Sequence, residues 1–334
     1  MVYYKLKIQP TSKFVTLPTS DQLFGQICYM LNLMGCDLDL MLKDYQTDPF
    51  LVVSDLFPMN YGLKPVIPSK IDNVINIYKL AGNKNNKLKK YVNLDILFKE
   101  HHVPEAEESI WKINLKETHH VTINRMTNKA GGLSEDGKIS YHPYTLIDYS
   151  FESKDNEEFY YSLYLYVKEE YKKNIVKAIY NIGLFGFGGK VSTGSGKYII
   201  KYKDNYIDEK NIDIYIDDMK KIEFDLNQNK YNSIYTLGKA AISKTSEIAN
   251  YIYYSPYVKF GFHGVMSSNG NPFKNPYVLA EQGLMYIDIV NKNILSKPYI
   301  GQEINNISYD SKVKSQGYSL YIPVVYGEWY GFKK

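Results

Sequence analysis

Between Gly183 and Lys197 the sequence reads G-L-F-G-F-G-G-K-V-S-T-G-S-G-K, with six glycines in fifteen residues. Glycine takes left-handed backbone angles without steric cost and lets a second backbone come close. Successive amides in such a loop can converge on an anion. Lys190 and Lys197 add charge, and Ser192, Thr193 and Ser195 add hydroxyls. The chemistry on offer is recognition of a phosphodiester or a nucleotide. A nucleotide-hydrolysing P-loop needs G-x-x-x-x-G-K-[ST]. Counting back from Lys190 puts Leu184 at the first glycine, and counting from Lys197 puts Val191 there. A dinucleotide fingerprint starting at Gly186 meets Val191 at its third glycine. Both motifs also sit between a strand and a following helix, and here the order is reversed. A connection that serves packing alone seldom needs this many glycines together with lysines and hydroxyls.

Other candidates for chemistry fall away on spacing. His101-His102 and His119-His120 are adjacent pairs, and His142 and His263 stand alone. Neighbours on a strand point to opposite faces, so neither pair makes a two-ligand metal site, and no metal or cofactor is expected. Asp217-Asp218 and Glu157-Glu158 read as surface pairs without a matching partner. Cys28 and Cys36 form no C-x-x-C and read as buried thiols of a reducing compartment. Arg125 is the only arginine among 40 Lys+Arg. Its planar fork can grip a phosphate or a base edge in a way an ammonium cannot.

The elements around these residues follow from periodicity. Tyr3 to Gln9 alternates as a first strand, and Ser20 or Asp21 caps a helix with Leu23, Phe24, Ile27, Cys28 and Leu31 on one face. Leu51 to Leu56 reads as a second strand. A long excursion from about Pro58 to Glu108 carries Lys84, Lys87, Lys89 and Lys90 in a polar, Asn-rich stretch. Trp111 to Asn124 returns as a strand, Thr127 to Tyr144 reads as a projecting hairpin, and Phe159 to Val167 as a central strand. Glu169 to Ile182 has helical period, with Gly183 as its expected stop. Tyr198 to Tyr202 follows the glycine-rich loop as a strand. Acidic and amide residues from about Tyr206 to Lys230 break the composition. Strand-like segments follow near 231–237, 257–262, 277–290 and 318–325. The pattern predicts an α+β chain of two ferredoxin-like (RRM-like) domains, 1–205 and 206–334. The first holds a thumb-like hairpin insertion and the glycine-rich loop.

Composition permits a nucleic-acid partner without demanding one. The chain has 334 residues, 44% hydrophobic content and a net charge of +4, short of the basicity of a non-specific DNA binder. It begins directly as a strand, with no signal-peptide core and no bilayer-length apolar run, which predicts a cytoplasmic protein.

Helix, glycine-rich loop and strand together resemble the closing unit of the RNA-binding RAMP superfamily of CRISPR proteins. Further segments narrow the resemblance. Thr19-Ser20-Asp21-Gln22-Leu23-Phe24-Gly25 is similar to the start of the family's first helix, and Ser54-Asp55-Leu56-Phe57-Pro58 with Lys64-Pro65 to its "S-x-L-F-P … K-P" segment. His120 to Thr127, followed by Gly131-Gly132-Leu133, is similar to "N-x-I-D-R-x-T … G-x-L-[FY]". Asn275 to Gly283 and Gln316 to Val324 resemble the two closing elements. Asn124, Ser134 and Gln316 depart from the usual Asp, aromatic and His. The chain resembles the RAMP-family subunit of type III-A CRISPR Csm effectors that caps the guide RNA.

That resemblance implies a non-catalytic, guide-RNA-binding subunit. It would hold the 5′ tag and dock a large polymerase-like subunit onto backbone RAMP subunits, with no membrane partner. It places RNA contacts at Ser20, His120, Arg125, Thr127, Lys129, Gly186, Phe187, Gly188, Gly189, Lys190, Ser192, Gly194, Ser195 and Gly196. The alternatives are a RAMP endoribonuclease that processes guide precursors and the equivalent subunit of the Cmr complex. The ribonuclease branch places a general-base His beside the first helix, where this sequence has no His before His101.

Overall fold

Alternation in the first segment does what its pattern requires. Strand β1 (Val2–Pro10) buries Tyr4, Leu6 and Ile8, while Lys5, Lys7 and Gln9 are less covered. It is followed by helix α1 (Ser20–Leu33), strand β2 (Leu51–Val53), strand β3 (Tyr161–Val167), helix α2 (Glu169–Phe185) and strand β4 (Tyr198–Tyr202). The strands form one antiparallel sheet in the order β4-β1-β3-β2, with Tyr4 opposite Leu165, Lys7 opposite Lys201, and Leu165 opposite Val53. The two helices cover it, and Leu23, Phe24, Ile27 and Leu31 from α1 join Ile175, Ala178, Ile179 and Ile182 from α2 in a single core. This computed structural model describes residues 2–326 apart from 68–88, 122, 125–128, 131, 134–138, 141–142, 156, 204, 224–229, 243–247, 264–272 and 305.

Several expected boundaries are corrected. Helix α2 does not stop at Gly183 but runs to Phe185, with Gly186 as its cap at φ +114°. Gly183 is needed inside the helix for another reason: a Cβ there would lie 2.5 Å from the carbonyl oxygen of Tyr198. The glycine therefore lets β4 pass close over α2. The expected strand over 51–56 shortens to Leu51–Val53, and a second short strand follows it at Phe57–Pro58, both paired with β3. Within the excursion, Tyr61–Leu63 pairs with Tyr91–Asn93, which leads into a helix at Leu94–Glu100 capped by the Asn93 side chain. Within the composition break the chain returns to the first sheet, where Lys221–Glu223 pairs with the start of β1.

Between the excursion and β3 stands a long hairpin stem. Trp111–Val121 and Pro143–Ser153 pair antiparallel along their whole length, from Trp111 opposite Ser153 to Val121 opposite Pro143. Beyond them lie two short pairs, Ile123–Asn124 with Lys129–Ala130 and Gly132–Leu133 with Ile139–Ser140.

Beside a separate pair, Pro256–Lys259 with Tyr277–Ala280, the second half holds a five-stranded antiparallel sheet. Its order is Ala249–Tyr253, Met285–Ile289, Ser233–Thr236, Tyr318–Val324, Tyr299–Gly301. Two of these strands, Ala249–Tyr253 and Tyr299–Gly301, have no counterpart among the expected segments. The expected strand over 277–290 is two strands, separated by a turn in which Gly283 takes φ +81°. A separate core around Ile234, Tyr286, Leu295 and Tyr321 fills this half.

The halves meet at the edge of the first sheet. Gln316 is fully buried, and its side-chain amide does for β2 what a neighbouring strand would do. Its Oε1 accepts from the Val53 amide at 2.9 Å, and its Nε2 donates to the Val53 carbonyl at 2.7 Å. Tyr3 reaches across as well, donating its hydroxyl to the Tyr321 carbonyl at 2.8 Å. Removing the amide leaves two buried backbone groups without partners, each worth about 1–3 kcal/mol. Gln316→Ala is therefore expected to lower unfolding stability by about 2–5 kcal/mol in urea denaturation. A loss within the scatter of surface substitutions would show that the two halves do not rely on this contact.

Candidate nucleic-acid interface

Three segments distant in sequence converge beside the glycine-rich loop: the loop itself, residues 12–16 just after β1, and the hairpin stem. Phe14 and Tyr149 exchange backbone hydrogen bonds of 2.9 and 2.7 Å, which fixes the stem against the end of β1. Lys13 then pairs with Asp148, a stem carboxylate only 2% exposed. The hydrogen bond from Lys13 holds the Asp148 carboxyl below the usual carboxylate range, and the fields of Lys13, Lys190 and Lys116 add to it against the cost of burial.

The loop is built mostly from its own and its neighbours' groups. The Phe187 amide donates to the Gly196 carbonyl at 2.9 Å, and the Gly196 amide to the Lys13 carbonyl at 2.7 Å. The Gly188 amide donates to Oε1 of Gln26 at 3.2 Å, and Gln26 Nε2 returns a bond to the Gly186 carbonyl at 3.1 Å. The Gly189 amide donates to the Thr16 hydroxyl at 3.3 Å. Lys190 sits in the left-handed region at φ +55°, followed by a 3₁₀ turn over Val191–Thr193. An open nest along the whole of Gly186–Gly196 is thus not what the sequence forms, because buried amides must find partners and most find them inside the chain. The amides of Lys190, Val191 and Ser192 bond to no group of the described residues.

Of the residues marked in the sequence, the structure brings His120 and Lys190 together. The Lys190 ammonium is 2.7 Å from Nε2 of His120, which also meets the Thr118 hydroxyl at 3.1 Å. An ammonium has only donors, so Lys190 donates to the imidazole in this contact. Gly188, Ser192 and Lys197 are exposed on the same loop, and Gly189, Lys190 and Gly194 are half-exposed. Gly186, Phe187, Ser195 and Gly196 are buried and serve the loop's own packing. Lys129 belongs to a short strand opposite Asn124. Arg125, Thr127 and His142 lie outside the described residues, as do Lys84 and Lys87.

Ser20 is placed elsewhere. It is fully buried, and its hydroxyl accepts from the Lys239 amide at 3.0 Å, while its own amide donates to Asp55 Oδ1 at 2.6 Å. Lys239 pairs with Asp55 Oδ2 at 3.3 Å, both side chains nearly closed to solvent. The Ser-Asp motifs at 20–21 and 54–55 thus tie α1 to the second half of the chain rather than facing a ligand. Cys28 is buried further along α1, and burial pushes its thiol up to about 12. Sequence reading missed Lys13, Thr16, Gln26, Lys116, Tyr144 and Asp148. None belongs to a motif, and each acquires its place only through contacts with distant segments. Among the described residues no three His, Cys, Asp or Glu side chains gather as a metal site. No helix among the described residues is long and apolar enough to cross a membrane.

A carboxyl whose folded pKa is depressed contributes stability that is present above its unfolded pKa and lost as pH falls through the folded one. The Lys13–Asp148 anchor is expected to be indifferent to pH between about 5 and 8 and to fail only below the ordinary carboxylate range near 4. Lys13→Met should raise the pH at which the stem loosens in acid, read by hydrogen exchange at the Phe14 and Tyr149 amides. Coincident acid profiles for the two proteins would remove Lys13 from this role.

No protein-family model matches the sequence, and no curated protein is similar to it by sequence. Similarity to solved structures is extensive. A chain of the Csm1–Csm4 cassette in complex with pppApA is similar over 98% of this chain and 100% of its own, at 12% identity and a TM-score of 0.53. A chain of the Csm3–Csm4 subcomplex in the type III-A CRISPR-Cas interference complex is similar over 97% and 99%, at 14% identity and a TM-score of 0.53. The Csm1–Csm4 cassette with cA4 gives 98% and 100% coverage, 13% identity and a TM-score of 0.52. Csm4 is the component these assemblies share, and the chain shares the fold of the matched chains over 97–98% of its length.

Proposed function

We propose that this chain is a guide-RNA-binding subunit of a type III-A CRISPR interference complex, holding the 5′ tag and joining the large subunit to the backbone. The observation that carries the reading is the convergence of the loop, the stem and the end of β1 around Lys190, His120, Lys13 and Asp148, on a chain with the Csm4 fold. In the similar structures Csm4 is assembled with Csm1 and with Csm3. The corresponding partners here are the large polymerase-like subunit and a backbone RAMP subunit.

The architecture fits two ferredoxin-like units. The first has the element order β-α-β-β-α-β and the strand order β4-β1-β3-β2. In the second, the strands at 249–253, 285–289, 233–236 and 318–324 repeat that order as second, third, first and fourth, with no α-helix between them among the described residues. The division near residue 205 leaves the segment around Ile212–Glu223 folded back on the first unit. The stem and the segment beyond it form the thumb-like insertion, and Arg125, Thr127 and Lys129 fall within that insertion.

Phosphates of the tag bind at the Lys190–Ser192 amides, beside the Lys190 ammonium and the exposed Ser192 hydroxyl, while the Thr193 hydroxyl braces the turn by donating to the Lys190 carbonyl at 2.9 Å. Lys116 adds charge from the stem. The chain cuts nothing in this reading: His120 is engaged with Lys190 and Thr118, and it serves to place the ammonium.

Filter binding of a labelled tag RNA tests the site. Lys190→Ala is expected to weaken binding and to make the salt slope shallower by about 0.7, one phosphate contact on a single strand. Gly188 has φ +81°, and a Cβ there would lie 2.7 Å from Cβ of Thr16. Gly188→Val should displace the loop and lose binding while the melting transition stays cooperative. Unchanged affinity in both variants would overturn the assignment of the loop. Metal-independent cleavage of precursor RNA by the isolated chain, abolished in His120→Ala, would move the protein to the ribonuclease branch.

A further inference from the structure

His120 and Tyr144 stand directly opposite each other in the hairpin stem. Opposed residues of an antiparallel pair share a face, and their rings are stacked, with centroids 5.3 Å apart and planes 23° from parallel. The same face carries Thr118 opposite Leu146 and Lys116 opposite Asp148. Along the strand that carries Asp148, Leu146 and Tyr144, coverage falls from the first to the last. Asp148 is buried under Lys13, whereas Tyr144 is 44% exposed. The histidine behind it is held in place at Nε2 by Lys190 and Thr118. The exposed aromatic ring therefore has a rigid backing, and an ammonium lies at the edge of that backing.

We propose that Tyr144 is a stacking platform for one nucleobase of single-stranded RNA, whose adjoining phosphate is bound at Lys190, with His120 as the residue that positions both. This rests on the RNA-binding reading above and adds to it a base subsite distinct from the phosphate contacts. A flat ligand with an anionic tether suits the pair: the ring offers a π-face, and the ammonium beside it offers the counter-charge. Backing by His120 removes ring motion before binding, so little ordering cost is left for the complex. The subsite reads a face and not an edge. The Thr118 hydroxyl already lies against His120 and the Leu146 carbonyl. Every base has a π-face, so the site tolerates any base identity.

The test uses the full chain with a tag RNA carrying 2-aminopurine at successive positions. Tyr144→Leu keeps a β-compatible apolar side chain at an exposed strand position, and Tyr144→Phe keeps the ring. Tyr144→Leu is expected to bind about tenfold more weakly, with an unchanged salt slope because no phosphate contact is lost. One 2-aminopurine position should lose its stacking quench in Tyr144→Leu and recover it in Tyr144→Phe. Wild-type RNA affinity and an unchanged quench profile in Tyr144→Leu would overturn the platform while leaving the RNA-binding reading standing. Failure of the wild-type chain to bind the RNA at all would overturn both. Wild-type RNA binding by Tyr144→Leu together with loss of a co-purifying complex subunit would reassign the ring to a protein contact.

Discussion

The buried carboxylate of Asp55 is the contact on which the arrangement of the site depends. It receives the Ser20 amide at the start of α1 and the Lys239 ammonium, and the Asp55 amide donates to the Leu237 carbonyl at 3.0 Å. An acidic group at a helix N-terminus meets unpaired amides and the positive end of the helix dipole. Fixing the start of α1 also fixes Gln26, two turns along, and Gln26 is the side chain that grips the loop at Gly186 and Gly188. A line of hydrogen bonds therefore runs from the second half of the chain, through α1, to the loop that carries Lys190. Removing one partner of a buried ion pair leaves the other uncompensated and typically costs about 3–5 kcal/mol. The interface is thus only as well placed as a junction on the far side of the helix.

The stem contributes the second constraint. Two strands paired over their whole length form a stiff arm, and the arm is pinned at Phe14–Tyr149 and Lys13–Asp148. One basic cluster thereby comes from three elements, so its geometry depends on the docking of all three. The Asp148 carboxylate balances part of the positive charge of Lys13, Lys116 and Lys190.

Local rules made the first unit legible. Alternation in Val2–Pro10, the apolar face of Ser20–Leu33 and the helix–glycine–strand order at 169–202 all reflect periodicity or backbone chemistry within a short window. The loop's location could be read, but its internal wiring could not. Glycines with positive φ can aim amides outward to a ligand or inward to the chain, and the choice was made by Gln26, Thr16 and Lys13. Gly183 shows the same limit, since its reason for being glycine is the carbonyl of Tyr198 from the next strand. The short strands Ala249–Tyr253 and Tyr299–Gly301 are edge strands of the second sheet, where Tyr251 and Ile300 pair with Ile287 and Ser319, 36 and 19 residues away. Ser20 resembled a binding residue in sequence, and burial gave its hydroxyl to Lys239 instead.

The Gln316 amide has an effect beyond joining two halves. An open sheet edge invites strand addition from another chain, and folded proteins suppress such growth with covers and local irregularities. At β2 the outward amide and carbonyl of Val53 are both occupied by one side chain, with the Tyr318–Val324 strand lying over the same edge. An incoming strand would have to break both bonds before forming its first. The first sheet is closed on this side, so an assembly that incorporates the chain cannot propagate by extending hydrogen bonds from Val53, and polymerisation along that direction terminates here.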